Sequence, residues 1–213
     1  MGVETVAVMA CNLNDDDKPK ILLGFLEAAA AELRDFRDSE RARRQRAVLA
    51  YKLDPHAPIG GFWALGDEDF FEMYRREGEV GFELHLGVSG NVGRNALDLW
   101  TSIRKNQFLS NPSEQKIVRR LACRMAAVVG ADKVIYVPDS GDKMSLARDM
   151  VGAGRTFDEI VAFVASIAQP LPTPPPEGLD LYALYPDVED PYFIDDFTND
   201  VFRVQIAATQ NER

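Results

Sequence analysis

The chain is expected to fold as an α+β protein in which a mostly antiparallel sheet carries helices on one face. Three observations support that class. Runs with the alternation that suits strands occur at 3–10 and 80–88, and a short apolar run at 133–138 is ended by proline. Stretches between them repeat apolar residues every three to four positions, the spacing of helices that bury one stripe. At Pro170 the composition changes to proline and then to aromatic and acidic residues, which marks a C-terminal extension. The expected division is a domain over 1–169, a proline-rich linker over 170–178, and an extension over 179–213 that packs back on the domain.

The first strand, Val3–Ala10, sets Val6, Val8 and Ala10 on one side. Asp15–Asp17 followed by Pro19 starts a helix, because proline fits the first turn and acids suit its positive end. Leu22, Phe25, Leu26, Ala29, Leu33 and Phe36 form its buried stripe, and it is expected to run to about Arg46. Val48–Leu53 either continues it or turns into a strand. Asp54–Gly61 is a loop by its turn residues, Phe62–Leu65 a short strand, and Asp67–Arg76 a short helix with an acidic first turn. From Val80 to Val88, Phe82, Leu84 and Leu86 alternate with Glu83 and His85, as in a half-buried strand. Asn95–Lys105 and Pro112–Val129 are expected helices, the second capped by Asn111 and stopped by Gly130. Lys133–Pro138 is a strand, and Asp142–Met150 and Phe157–Ala168 are helices. Thr156 and Glu159 have the spacing of a capping box. Val201–Ile206 alternates again and is expected to return as an edge strand. The order strand, helix, two strands, helix pair, strand is that of a split β-α-β unit, ferredoxin-like in outline.

Composition narrows the function. A chain of 213 residues with 46% hydrophobic and 27% charged residues is globular in character. The net charge of −10 argues against a general nucleic-acid binder, since counterion release needs a clustered positive surface. It favours fast encounter with cationic partners. Two cysteines, Cys11 and Cys123, are too few for a disulfide framework. The first residues lack the basic start and apolar core of a secretory signal, and no apolar run reaches the roughly 18 residues of a membrane span. A cytoplasmic protein without membrane association is expected.

Gly87-Val-Ser-Gly-Asn-Val-Gly-Arg94 joins a strand to the helix expected from Asn95. Glycines let backbone approach closely, and a helix N-terminus presents N–H groups to an anion. Gly90, Asn91, Gly93 and Arg94 are therefore a candidate phosphate or carboxylate site. The spacing matches neither the dinucleotide fingerprint nor the P-loop, and a plain glycine turn explains it as well. Ser89 resembles a nucleophile elbow until Asn91 replaces the last glycine, and only His56 and His85 could supply a base. Ser140 and Lys143 have the spacing of a serine–lysine pair, but so do Ser102 and Lys105. No catalytic residue is assigned. Cys-x-x-Cys, His-x-x-x-His and calcium-loop patterns do not occur, so neither a metal nor a cofactor is expected.

Charge distribution says more. Arg34, Arg37, Arg41 and Arg44 share one helical face, as do Lys116, Arg119, Arg120 and Arg124. A solvated, salt-bridged surface is the plain reading of both. Against them stand eight carboxylates between Glu177 and Asp200, in a stretch from Leu171 to Asp200 that has no lysine or arginine. Aromatic residues interleave with these acids, more than an indifferent solvated tail would carry. The extension is expected either to meet an arginine face of its own chain or to meet a basic partner. The expectation is a non-catalytic interaction protein, immunity- or antitoxin-like in kind, that binds a basic protein. Its contact residues would be Tyr182, Tyr185, Asp187, Glu189, Asp190, Tyr192, Asp195 and Asp196. The alternative is a small enzyme or ligand-binding protein that holds an anionic substrate at Gly87–Arg94.

Overall fold

A computed structural model describes residues 3–12, 17, 20, 21, 24, 28, 61–64, 75, 76, 84, 85 and 88–198. The strands are β1 (Glu4–Ala10), β2 (Gly61–Ala64), β3 (Arg75–Arg76), β4 (Leu84–His85), β5 (Val88–Val92), β6 (Ala96–Arg104), β7 (Lys133–Pro138), β8 (Gln169–Pro170), β9 (Pro191–Tyr192) and β10 (Ile194–Asp196). The helices are α1 (Lys105–Ser110), α2 (Pro112–Val129), α3 (Leu146–Gly152), α4 (Phe157–Ile167) and α5 (Leu181–Leu184), with a 3₁₀ turn at Lys143–Ser145. Residues 20, 21, 24 and 28 are also helical. The class is α+β, with one antiparallel sheet of six strands in the order β10-β7-β1-β6-β5-β2.

Register decides what each face of that sheet carries. Val6 lies opposite Trp100 and Val137, and Val8 opposite Asp98 and Ile135, so these six share one face. Ala7 lies opposite Leu99 and Tyr136, Met9 opposite Leu97 and Val134, and Asp195 opposite Val134, which puts them on the other. Arg148 of α3 reaches Asp98 on the first face, while Arg119 of α2 reaches Asp195 on the second. Helices therefore cover both faces, with α4 packed beside α3 against β1. The expectation of helices on one face is corrected. Central strands buried on both sides require it: Val6, Ala7, Val8, Met9, Leu97, Leu99, Ile135 and Tyr136 are all fully buried.

A second correction concerns Asn95–Lys105, which is strand β6 up to Arg104 and not a helix. Leu97, Leu99, Trp100 and Ile103 fit a helical stripe on paper. Burial of both faces removed the polar alternation that would have marked a strand. The expected helix over Asp67–Arg76 meets a strand at Arg75–Arg76, paired with Leu84–His85. Residues 67–74, the arginines at 34, 37, 41 and 44, His56, the stretch 48–53 and Val201–Ile206 lie outside the described residues.

Other elements form where their local chemistry places them. The Asn111 side chain accepts from the N–H groups of Ser113 and Glu114, and Gly130 ends α2 in the left-handed conformation. Asp142 caps the 3₁₀ turn through the N–H groups of Met144 and Ser145. Thr156 and Glu159 satisfy each other's backbone reciprocally at the start of α4. No helix among the described residues is long and apolar enough to cross a membrane.

Candidate interaction surface and its buried anchor

The C-terminal segment leaves α4, crosses the body as an extended proline-rich run, turns through α5, and comes back as β9 and β10. On the way out and back it pairs with itself: Leu171 N–H donates to Tyr192 O at 2.7 Å, and the Thr173 hydroxyl donates to Ile194 O. Two side chains of α2 hold it. Gln115, fully buried, donates from Nε2 to Phe108 O and Leu179 O, and accepts at Oε1 from Leu179 N–H. Gly178 passes so close that a Cβ there would lie 2.7 Å from Pro112 O, and its φ of +87° is left-handed as well.

The second holding group is Arg119. Its side chain is 1% exposed, although the helical wheel groups it with Lys116, Arg120 and Arg124. Nε donates to Asp195 Oδ2 at 2.9 Å and Nη2 to Oδ1 at 2.6 Å, a bidentate pair. Nη2 and Nη1 also donate to the carbonyls of Pro174 and Pro175, at 2.8 and 2.6 Å. Tyr136 donates its hydroxyl to Asp195 Oδ2 at 2.7 Å. Burial holds that phenol well above its ordinary pKa, and the charge of Asp195 adds to the effect, so it stays a neutral donor. The guanidinium carbon lies 5.5 Å from the centroid of Phe193, which stacks on Phe108 at 5.6 Å and tilts against Tyr136 at 5.1 Å. Phe193, Asp195 and Phe197 all point inward, while Asp196 and Thr198 stay exposed. Burying each phenylalanine contributes about 2–3 kcal/mol.

Of the eight contact residues expected from sequence, Tyr192 and Asp195 are buried within the chain itself. Tyr185 is half-buried, and Tyr182, Asp187, Glu189, Asp190 and Asp196 are exposed. Two exposed leucines, Leu179 and Leu184, join Tyr182 in this stretch as exposed apolar side chains. Leu184 is 54% exposed, and Leu179 and Tyr182 are 38% exposed. Asp180 caps α5 by accepting from Ala183 N–H. Asp190 takes a left-handed φ of 48°, which aspartate tolerates better than most residues. Burial raises the Tyr182 phenol above its ordinary pKa, with the charge of Asp190 adding to it. The hydroxyl and N–H of Thr198 hold the Asp196 carboxyl low. Beneath the segment, Lys105 donates from Nζ to Tyr136 O at 3.0 Å; burial pushes it down to about 8, against the pull of Asp142 and Asp190.

The glycine-rich segment forms a strand and a tight turn. Gly90 and Asn91 belong to β5, with main chain paired to β6 on one side and β2 on the other. Gly93 opens a hairpin turn, its N–H donating to Ala96 O at 2.9 Å. No helix begins after Arg94, so the N–H groups that were to receive an anion are absent. The close approach permitted by Gly93 is to the protein's own backbone: a Cβ there would lie 2.1 Å from Val151 O. Asn95 Nδ2 donates to Gly154 O at 2.7 Å, closing the turn against the end of α3. Arg94 is exposed. The Ser140 hydroxyl donates to Asp139 Oδ1 at 3.1 Å and not to Lys143.

A cavity of about 220 Å³ lies between the end of β1 and the last turn of α2, lined by Cys11, Asn12, Asp17, Lys20, Ile21 and residues 127–130. None of the expected site residues lines it. Among the described residues, no group of three or more histidine, cysteine or acidic side chains could hold a metal ion. No family model, curated protein or solved structure matches this chain.

Proposed function

We propose that this chain is a non-catalytic, cytoplasmic interaction protein, immunity- or antitoxin-like in kind, which binds a basic protein partner. The carrying observation is that the apolar side chains of Leu179, Tyr182 and Leu184 are exposed and are followed within a few residues along the chain by the exposed carboxylates of Asp187, Glu189 and Asp190. Apolar anchors inside a rim of one charge combine desolvated contact with electrostatic steering. Anchoring by Gln115 and Arg119 supports the same reading, because a held surface pays less ordering entropy on binding.

We also infer a split β-α-β unit, ferredoxin-like in outline, at the centre of the sheet. The inner order β7-β1-β6-β5, each strand antiparallel to its neighbour, supports this reading. A Cβ at Gly24 would lie 2.4 Å from Val128, so Gly24, which is helical, sits against α2, in keeping with the paired helices of such a unit. β10 and β2 then extend the sheet at its two edges.

Affinity capture with the full chain at low and at moderate salt tests the function, with bound proteins identified and their charge recorded. Basic proteins held at low salt, and lost both with Tyr182→Ala/Leu184→Ala and with Asp187→Asn/Glu189→Gln/Asp190→Asn, are expected. Retention of neutral partners, or binding indifferent to salt and to both variants, contradicts the proposal.

A further inference from the structure

The body of the protein holds residues 191–198 in the way a sheet edge holds a bound peptide. β10 adds to β7, which would otherwise be the edge of the sheet, and side chains 193, 195 and 197 enter the interior while 196 and 198 remain outside. In strand addition, main-chain pairing supplies affinity and pockets for alternate side chains supply selectivity. The selective group here is Arg119, which grips both carboxylate oxygens of Asp195, joined by the Tyr136 hydroxyl and backed by Phe193. A slip of one residue would turn Ile194 or Asp196 toward Arg119 and put two phenylalanines in water. A buried ion pair adds little stability over apolar packing of the same volume, but it does discriminate between segments offered to it.

We infer that the cleft between α2 and the edge of β7 is a docking site for an aromatic-x-Asp-x-aromatic strand, and that residues 191–198 of a second copy of this chain are its occupant in trans. The fit is already made by the chain's own Phe193-Ile-Asp-Asp-Phe197, so exchange between two copies forms the same contacts and needs no new ones. The stretch Pro186–Asp190, just before β9 and exposed except for the half-buried Val188, is where the chain would cross from one copy to the other. This site is distinct from the acidic surface and does not depend on a basic partner.

Trans-complementation between two full-length variants tests it. Arg119→Met keeps an intact segment but lacks the gripping cation; Asp195→Asn keeps the cleft but carries a poorer segment. Donor-labelled R119M mixed with acceptor-labelled D195N should give energy transfer and a melting temperature above either variant alone, while each variant with itself should not. No transfer and no rise would overturn the inference. Should either variant fail to fold, a fluorescent peptide of residues 191–198 in large excess is read against the wild-type chain by anisotropy. Binding that weakens about tenfold or more when the peptide carries D195N is expected, as for loss of a charged hydrogen-bond pair. Absent binding, or equal binding of both peptides, would overturn it.

Discussion

Arg119 and Arg148 each reach a buried aspartate from a helix, one on either face of the same sheet. Arg119 is closed off from water and holds Asp195 in a bidentate grip, with two further hydrogen bonds to the proline run. Arg148 keeps 29% of its side chain exposed and meets Asp98 through Nε at 3.4 Å. The chemical pair is the same, but its consequences differ. Where water reaches the guanidinium, losing it lets solvent take over part of the work. Where nothing but protein surrounds the pair, removing one member strands the other in a medium that cannot solvate it. The Arg148 pair sits where water reaches one partner, and the Arg119 pair decides where a whole segment lies.

The sharpest way to break this comparison is to delete each cation in turn. Arg119→Met should cost about 3–5 kcal/mol in urea unfolding, the toll of a buried carboxylate left uncompensated. Arg148→Met should cost less, because water already reaches its guanidinium and can enter where it was, although Asp98 itself is fully buried. Equal losses would show that burial does not separate the two. Next in size are the two close backbone approaches, one on each side of the molecule. Gly93→Ala pushes a methyl against the Val151 carbonyl, and Gly178→Ala pushes one against Pro112 while straining a left-handed φ. Each should lower stability by about 1–3 kcal/mol, G93A more, because the carbonyl it meets cannot move without shifting α3.

Lys105 sharpens the comparison through pH, since its ammonium is buried beneath the C-terminal segment and held down to about 8. In the unfolded chain it keeps its proton to about 10.5. Between those values the unfolded state binds the extra proton, so stability should rise as pH increases from 8. Asp142 and Asp190 oppose the depression but do not cancel it. Cys11, raised to about 11 by burial and by Asp17, acts in the opposite sense above pH 9. The clean window is therefore pH 8 to 9, where Lys105→Met should flatten the upward slope seen by chemical denaturation. The smallest effects belong to the caps. Asn111→Ala on α2 and Thr156→Ala on α4 should each cost about 1 kcal/mol in thermal unfolding.

What could be read from the residues follows the range of the forces involved. The α2 limits, its asparagine cap and glycine stop, the β7 limits and the capping box at Thr156 all depend on neighbours within a few positions, and all appear where the pattern puts them. β6 was misread because its apolar residues suit both a helix and a strand buried on two faces. Only the hairpin with β5 and the pairing with β1 decide between them. The glycine segment leaves both a ligand site and a plain turn open in the sequence, because glycine reports close approach without naming what approaches; at Gly93 it is Val151. Arg119 could not be told from Lys116 or Arg124 on the helix wheel, since the aspartate that claims it lies 76 residues further on. A meeting of late carboxylates with a guanidinium was expected, but which pair would meet is set by the sheet register that brings Asp195 opposite Val134.

A double-mutant cycle between Arg119→Met and Asp195→Leu, followed by urea unfolding, tests most directly whether this ion pair holds the C-terminal segment to the body. A coupling of about 2–3 kcal/mol is expected, the double variant being far more stable than the sum of the single losses allows. Additive losses, within about 0.5 kcal/mol, would mean that the two side chains act independently and that the segment is held by something else.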